Sequence, residues 1–579
     1  MNTSKGRLLA ALLLALPGYQ ANGQSTERDQ LEEVIVTANF RDNALMNSVG
    51  SISVVGRETI SERAAQHLEE VLNAVPNVTW ASASSRSRFI QVRGVGDLEQ
   101  YYDPKYYPSV GLMLDDLELG DSANAGMLVD VEQVEVLRGP QGTRFGASAH
   151  AGMIKIRSAA PTDTFEGQLS GGAGNYDSYN LGLVLSGPLT EDLKGRIAVQ
   201  QYQSDGFIDN ERLDKDDTND FDELTLRGRL QWTPGDSANY ELSAFYFDSD
   251  NGLDAWSLDN DRDTRSDQPG QDTQETLGLP ARGDWLVGNE LAVEAVVSYI
   301  DSDLHNSYDA DWVSDAFCQQ YVCSFGNDTA RELFDRDRER WVADLRLLGG
   351  GAGSSQYTLG LYANSATEDF DYQYFSVWYG DFASSSDYDT DRYAIYGEYE
   401  FAATDRLSLV AGLRYERYED DYSDSNGFSS DGDDDLWNAE ISARYDLGDD
   451  TMAYAKLARG AKPGGVNTTA SANQPFMSPI FQDFTQGKLT FDDETLYNVE
   501  VGVKTRQFDQ RLSLTAALFY MDRDNAQLEN WMWDNVAGLW ISYLDTTSGA
   551  DSYGMELEAT LLATDLESNF LGATLGNAE

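Results

Sequence analysis

From about residue 164 to the last residues, the chain is dominated by short runs in which apolar and polar side chains alternate. In one run, residues 224–232, Leu224 and Trp232 fall on one face of a strand, whereas Arg227 and Arg229 fall on the other. A strand that is apolar on one face and basic on the other suits a sheet placed between lipid and a wet interior. The pattern therefore predicts a mainly β fold, a transmembrane antiparallel β-barrel.

Further runs with the same period follow along the chain, and about sixteen candidate strands can be counted before it stops. Three of the later runs begin at Tyr393, Leu407 and Leu512. Their connections alternate in length, as tight turns and long loops do on the two sides of a membrane barrel.

The lengths of the connections distinguish a membrane barrel from a water-soluble β fold. Residues 188–191, 234–237 and 402–405 are predicted to be short turns. The roughly 40 residues between Asp248 and Asn289 are expected to form a single long loop. A water-soluble β-sandwich would also show alternation, but it would explain neither this asymmetry nor the Tyr and Trp residues near strand ends.

Residues 41–160 mix short strands with one amphipathic helix. Ser61 and Glu62 are predicted to open this helix and residues 73–76 to close it. Its apolar stripe at helical spacing consists of Ala65, Leu68, Val71 and Leu72. This segment is predicted to be a small α+β domain that precedes the barrel, residues 161–579.

The first residues have the layout of a secretory signal peptide. Basic residues precede the apolar run Leu8–Leu16, and the small residues Ala21 and Gly23 follow it. The run is about nine residues long, far short of the roughly 20 that a membrane-spanning helix needs. Residues 1–23 are thus predicted to be a signal peptide, and residues 24–40 an N-terminal extension of the exported protein, polar over residues 24–31.

The charge of the chain bears on its partners. It has 98 acidic and 41 basic side chains in 579 residues, which gives a formal charge of -57. A protein of this charge is not attracted to phosphate backbones, so nucleic acid is not an expected partner. Acidic residues concentrate in loop-like stretches such as residues 259–267 and 431–435, where a solvated surface is the simpler interpretation and cation binding is the alternative.

No catalytic centre, metal site or cofactor is predicted, and the chain is not expected to be an enzyme. His67, His150 and His305 fall in a helix, in a glycine-rich segment and in a loop, without metal-ligand spacing. Cys318 and Cys323 can form neither a zinc cluster nor a CxxC redox pair, so a disulfide within a loop is expected, in keeping with export.

Several segments resemble the TonB-dependent receptors of the outer membrane of Gram-negative bacteria, and the resemblance extends over nearly the whole exported chain. The most specific segment runs from Val134 to Thr143 and continues through Gly146 to Gly152–Ile156; it resembles the closing motif of the family's plug domain. Val92–Gly96 resembles the central strand of the plug. Weaker similarities in the barrel occur at residues 453–465, 494–504 and 554–558.

The resemblance implies roles for individual residues. The plug-motif residues are Arg93, Gly94, Arg138, Gly139, Pro140, Gly142 and Gly152. The energy-coupling TonB box comprises Glu32, Glu33, Val34, Ile35, Val36, Thr37 and Ala38. A periplasmic partner could capture such a β-prone segment by strand addition, although the segment could also be simply the first strand of the plug. Arg144 departs from the family, which more often has an aliphatic residue there.

The resemblance also implies a 22-stranded barrel around the plug, so that C-terminal strands would be missing from this sequence. The implied partners are TonB with its inner-membrane energising complex, outer-membrane lipid and a small ligand. Family ligands meet plug loops that face outward. The candidate contacts here are Tyr101, Tyr102, Tyr106 and Tyr107, which could equally pack the plug against the barrel.

The function predicted in this way is TonB-dependent active transport across the outer membrane. A ferric siderophore or other iron complex is the expected ligand from family frequency alone, and glycans, cobalamin and other metal chelates are the alternatives. A passive pore is disfavoured because it would need neither a plug nor a coupling strand.

Overall fold

The computed structural model describes residues 31, 33–37, 40–82, 84–96, 105–120, 126–288, 290–314, 317–318, 329–350, 355–377, 380–564 and 567–578. A small α+β domain comes first, and a large antiparallel sheet follows. Within the described ranges, every helix is too short or too polar to pass through a membrane.

The first domain contains short strands, short helices and two 3-10 turns. Its strands are β1 (Ile35–Val36), β2 (Asn43–Ala44), β3 (Ile52–Gly56), β4 (Val78–Ala81), β5 (Phe89–Val92), β6 (Val95–Gly96), β7 (Val110–Leu114), β8 (Leu117–Glu118), β9 (Val131–Arg138) and β10 (Gly152–Ser158). Its helices are α1 (Arg57–Glu62), α2 (Leu68–Leu72) and α3 (Gly142–Phe145), and its 3-10 turns are Leu45–Asn47 and Gly146–Ala149. The central sheet has the order β3-β9-β10-β7-β8, and β1 pairs with β2 in a separate two-stranded sheet.

The single helix expected in this domain is in fact two helices, and that prediction was wrong. α1 begins earlier than predicted, and Ala64 then takes a φ of 51°, a left-handed conformation in which the helix cannot continue. α2 fully buries Leu68, Val71 and Leu72, on the face that the apolar spacing predicted. The spacing therefore identified the buried stripe but not the break.

The remaining strands follow in chain order. They are β11 (Glu166–Ala173), β12 (Tyr179–Pro188), β13 (Leu193–Ser204), β14 (Asp209–Asn210), β15 (Phe221–Trp232), β16 (Ala238–Leu253), β17 (Asp263–Thr264), β18 (Gly270–Val287), β19 (Leu291–Asp309), β20 (Ala330–Gly349), β21 (Gln356–Ser376), β22 (Phe382–Thr404), β23 (Leu407–Asp424), β24 (Ser429–Gly448), β25 (Thr451–Lys462), β26 (Gly465–Val466), β27 (Thr490–Phe491), β28 (Glu494–Gln507), β29 (Leu512–Asp524), β30 (Ala526–Asp534), β31 (Leu539–Thr547), β32 (Ala550–Thr564) and β33 (Glu567–Ala578). Two further helices are α4 (Thr468–Asn473) and α5 (Pro479–Gln486), with a 3-10 turn at Gln474–Phe476 between them.

Seventeen of these strands form one antiparallel meander, in the order β11-β12-β13-β15-β16-β18-β19-β20-β21-β22-β23-β24-β25-β28-β29-β32-β33. On its outer face Leu359 and Ile395 are 55% and 61% exposed, whereas Arg392 and Arg414 on its inner face are fully buried. A sheet that exposes aliphatic side chains and buries arginines is the reverse of a water-soluble one and fits lipid outside. The predicted transmembrane β-barrel is confirmed.

One predicted connection was wrong. The expected loop between Asp248 and Asn289 is instead occupied by β18, which pairs with β16 and β19 along most of its length. Pro280 lies in the middle of β18, and proline in the interior of a run normally argues against a strand. That proline and the polar first half of the strand weakened the sequence signal. This explains why only about sixteen strands were predicted, whereas the meander has seventeen.

The sheet curves around the first domain, which therefore occupies the barrel interior as a plug. Arg196 on β13 pairs with Asp130 of the plug at 2.5 Å, and Glu558 on β32 accepts a hydrogen bond from Ser53 of the plug at 2.6 Å. Strands from opposite ends of the meander thus touch the same small domain. The arginine-bearing face of β15 also points inward, where Arg227 donates to the Met127 carbonyl at 2.6 Å.

Candidate functional site

β1, in the middle of the predicted TonB box, lies at the end of the barrel where the connections are short. The amide of Leu31, just before it, donates to the carbonyl of Gln510 in the turn between β28 and β29, at 3.1 Å. Arg41, just after it, donates to the carbonyl of Gly349, the last residue of β20, at 2.7 Å. Short turns face the periplasm in outer-membrane barrels, so a periplasmic partner would meet this segment first.

The described part of the predicted TonB box, residues 33–37 (the predicted coupling segment), is paired and partly buried. Ile35 and Val36 form an antiparallel ladder with Ala44 and Asn43. Val36 is completely buried in an apolar cluster with Ile52, Leu137, Ala149 and Met153 of the plug. Glu33 is exposed and Val34 half-buried, and Glu32 and Ala38 lie outside the described residues.

Polar contacts fix the same segment to the central plug sheet. The amide of Thr37 donates to both oxygens of the Glu135 carboxylate at 2.9 and 3.0 Å, and its hydroxyl donates to one of them at 2.5 Å. The amide group of Gln133 donates to the Ile35 carbonyl at 2.8 Å. Lys155 donates to the Thr37 carbonyl at 3.3 Å. These contacts involve the edge groups of a short strand, which a competing strand could replace.

The plug-motif arginines attach the plug to the far wall of the barrel. Arg93 donates to both oxygens of Glu556 at 2.8 Å and pairs with Glu500 at 2.7 Å. Arg138 lies 3.3 Å from Glu556 and also pairs with Glu558. All five side chains are buried or nearly so, and charges removed from water need partners of this kind.

The other plug-motif residues shape the backbone beside those arginines. Gly94 and Gly139 follow Arg93 and Arg138 directly, with φ of 75° and 78°, a conformation that glycine adopts without steric cost. Pro140 lies in the connection between β9 and α3, Gly142 is the first residue of α3, and Gly152 is the first residue of β10.

An outer cavity lies between the plug and the barrel wall on the side of the long loops. Its lining includes Lys105, Tyr106, Tyr107, Glu118, Arg338, Arg340, Glu368, Tyr388 and Tyr418. Of the tyrosines predicted as ligand contacts, Tyr106 and Tyr107 therefore reach a cavity, whereas Tyr101 and Tyr102 lie outside the described residues. The mixture of hydroxyl, guanidinium and carboxylate groups suits a polar ligand.

Tyr107 also packs the plug against the barrel. Its hydroxyl lies 3.4 Å from Ser148 Oγ, its ring meets the ring of Tyr418 edge-on at 6.1 Å, and the Arg392 guanidinium lies 4.9 Å from its centroid. Tyr107 thus both lines the outer cavity and packs the plug against the barrel wall.

Arg392 and Glu118 form a buried hub that sequence reasoning missed. Arg392 on β22 donates to Glu118 on β8 at 2.7 Å and to Ser148 at 3.0 Å, and Ser148 donates to Glu118 at 2.5 Å. Burial alone would raise the pKa of the Glu118 carboxyl, but Arg392 and Arg340 hold it below its ordinary value. The only sequence signal was an arginine on the polar face of a predicted strand, which many barrel strands share.

The histidines do not converge. His305 lies in β19 rather than in a loop, beside Asp335, and His67 is the N-cap of α2. His150 contacts Glu494 at 3.0 Å, and burial lowers the pKa of its imidazole. In the described ranges, three or more His, Cys, Asp or Glu residues are nowhere grouped so as to hold a metal ion. Cys318 is disulfide-bonded, and Cys323 lies outside the described residues.

Two family descriptions match the chain. Residues 44–153 match the "TonB-dependent Receptor Plug Domain", and residues 158–577 match "TonB dependent receptor-like, beta-barrel". Together they extend from the plug to the last strand of the meander, and the second alone matches more than half of the chain.

Individual relatives agree with these matches. The pesticin receptor of Yersinia enterocolitica is 26% identical over 575 residues, which cover 94% of this chain and 77% of that protein. A vitamin B12 transporter of Photobacterium profundum is 26% identical over 260 residues, 43% of this chain and 41% of that protein. The crystal structure of the ferric yersiniabactin uptake receptor of Yersinia pestis superposes with a TM-score of 0.75 at 22% identity, covering 92% of this chain and 79% of that one. The structural likeness shows a shared fold.

Proposed function

The chain belongs to the TonB-dependent receptors, and from that premise we propose that it imports a scarce ligand across the outer membrane of a Gram-negative bacterium, with energy delivered by TonB. The observation that carries the proposal is the placement of Ile35–Thr37 at the periplasmic end, on the plug, by contacts that strand addition could replace. Family members are receptors and transporters, and we propose no catalytic activity for this chain.

A physical route connects the outer cavity with the coupling segment. Glu118 lines the cavity and accepts a hydrogen bond from Ser148 in the 3-10 turn Gly146–Ala149. The next residue, Ala149, packs in the apolar cluster that holds Val36. A ligand that displaces Glu118 or Tyr107 would disturb this turn and weaken the packing of Val36 in that cluster. TonB could then capture the coupling strand.

The proposed ligand is a ferric siderophore or other iron complex. The names of relatives support this choice, since they include receptors for ferric yersiniabactin and for ferric pyoverdine, whereas the vitamin B12 transporter keeps cobalamin as the alternative. In the cavity, Lys105 and Arg338 share the carboxylate of Glu368, so an acidic chelate could compete with Glu368 for both cations.

Growth experiments test this function. Cells that depend on the protein should grow on at least one iron chelate as sole iron source only when TonB is active. Deletion of residues 32–38 should abolish uptake and leave binding of the chelate to whole cells intact. Continued uptake by the deletion variant would refute TonB coupling, and growth on none of the chelates would redirect the search to cobalamin, glycans and other metals.

A further inference from the structure

The outer cavity has two chemically different parts. Where β22 and β23 form its wall, the lining includes Thr390 and the tyrosines Tyr388 and Tyr418. Where β20 forms its wall, the lining includes Arg338 and Arg340. One part of the space thus presents phenol oxygens, and the other presents guanidinium groups.

The hydroxyl oxygens of Tyr388 and Tyr418 lie 2.8 Å apart. Around an octahedral metal ion with metal–oxygen distances of about 2.0–2.1 Å, two adjacent oxygen ligands are separated by about 2.8–3.0 Å. The two phenol oxygens therefore already have the spacing of neighbouring ligands on one ion. Phenolate is an anionic oxygen donor that binds ferric iron.

The fold sets this spacing. On the inner face of the sheet, Tyr388 is opposite Tyr422 and Arg392 is opposite Tyr418, so the two phenols project from the same face of adjacent strands. Tyr418 is only 1% exposed, and its ring meets the ring of Tyr107 edge-on at 6.1 Å. The pair is thus held in place by packing, as a preorganised site requires.

Asp420 adds a carboxylate beside the two phenols. It follows Tyr418 by two positions on the same face of β23 and is opposite Thr390, which lines the cavity. A Cβ at Gly432 on β24 would overlap Asp420 Oδ1, so the glycine leaves room for this carboxylate. Asp420 is close enough to interact electrostatically with both phenols.

The cations of the cavity complement an anionic chelator. Lys105 and Arg338 share the carboxylate of Glu368. Arg340 donates to the carbonyl of Glu118 at 2.8 Å, and its Nε has no hydrogen-bond partner among the described residues. A complex with carboxylates on one side and an open metal face on the other would therefore match both parts of the cavity.

We propose that Tyr388 and Tyr418 bind ferric iron directly, and that the substrate class is a ferric chelate whose chelator leaves two adjacent coordination positions to water. On binding, each phenol loses its proton and forms one Fe–O bond, and two water molecules leave the ion. The protons pass to Asp420 and to solvent, and the iron stays ferric. Import of such a complex rests on the proposed function, whereas its coordination by the two tyrosines requires neither TonB nor uptake.

Ferric nitrilotriacetate is the probe, because this tetradentate chelator leaves two adjacent positions to water. The full chain in detergent should develop the visible charge-transfer absorption of phenolate bound to Fe³⁺. Tyr388→Phe and Tyr418→Phe should each reduce this absorption, and the double variant should abolish it. Asp420→Asn should weaken the apparent affinity about 10- to 100-fold, the range typical for the loss of a group that supports metal ligands.

Tyr422→Phe is the matched control. The Tyr422 ring lies 6.4 Å from that of Tyr388, but its hydroxyl donates to Asp424 at 3.2 Å, so the absorption should not change. The ferric complex of a hexadentate chelator should give no absorption, since it leaves no position open.

Two results would overturn the site: no absorption in protein shown by gel mobility to be folded, or equal loss in Tyr422→Phe and in the two ligand variants. Absorption that depends on Tyr388 and Tyr418, without TonB-dependent uptake of ferric nitrilotriacetate, would support the site and count against the transport function.

Discussion

Thr37 donates both its amide and its hydroxyl to the carboxylate of Glu135, a side chain that is fully buried in the plug. The coupling segment therefore satisfies a buried charge while it is docked. When the segment leaves, that carboxylate loses these donors, and an unsatisfied buried acceptor is costly. The contact therefore favours the docked state, and under the proposed mechanism a partner strand would have to compensate for its loss.

Glu135→Gln should shift this balance toward release. The change keeps the shape of the side chain but removes the charge, and hydrogen bonds to charged groups are worth about 1.5–3 kcal/mol. We expect the ligand-free protein to bind the purified periplasmic domain of TonB about tenfold more tightly, measured by calorimetry. Glu132→Gln on the same strand, where the side chain is 44% exposed, is the control and should leave the affinity unchanged. An unaltered affinity in Glu135→Gln would show that the carboxylate does not restrain the segment.

Glu556→Gln should weaken the attachment of the plug to the barrel wall. Glu556 accepts both hydrogen bonds from Arg93 and lies 3.3 Å from Arg138, so its loss leaves two buried guanidiniums undercompensated. Breaking a buried pair costs about 3–5 kcal/mol.

The measurement for Glu556→Gln is the urea concentration at which the plug becomes sensitive to protease. Glu419→Gln removes an exposed partner of Arg417 and should cost at most about 1 kcal/mol. Similar midpoints for the two variants would contradict the assigned role of Glu556.

The plug should lose stability in acid through Glu69. Burial raises the pKa of this carboxyl, but His67 and Arg86 together with the Ser87 amide lower it to about 2. Because the folded pKa lies below the unfolded one, the stabilisation is complete above about pH 5 and disappears as the pH falls toward 2. It amounts to about 3 kcal/mol. In Glu69→Gln the midpoint of plug unfolding should vary less between these pH values, and an identical slope would exclude Glu69 as the cause.

Gly146→Ala should disturb the turn between the outer cavity and the coupling strand. Gly146 has a φ of 68°, and a Cβ there would lie 2.3 Å from Glu416 Oε2. Strain of this kind costs about 1–3 kcal/mol, so we expect a lower unfolding midpoint of the plug and weaker coupling of ligand binding to TonB binding. Gly448→Ala is the control, since a Cβ at that position meets nothing within 4 Å. Equal behaviour of the two variants would remove the turn from the proposed route.

The alternation of side chains along the chain was enough to predict a membrane barrel, since lipid on one face and a polar lumen on the other impose the same period on every strand. β15 illustrates this, because its arginines do point inward. β18 was missed since Pro280 interrupted the same signal. The break at Ala64 was missed because a single left-handed residue leaves no trace in apolar spacing.

In the candidate site, too, some features were indicated by the sequence and others were decided only by the tertiary structure. Resemblance to family motifs indicated the TonB box and the plug motif, whereas the residues alone left open whether Ile35 and Val36 form simply the first strand of the plug. Tertiary structure alone decided that Thr37 meets Glu135, that Arg93 meets Glu556 and that Tyr107 lies against Tyr418. These partners are about 100 to more than 450 positions apart, and only the curvature of the sheet around the plug brings them into contact, at distances that no local pattern encodes.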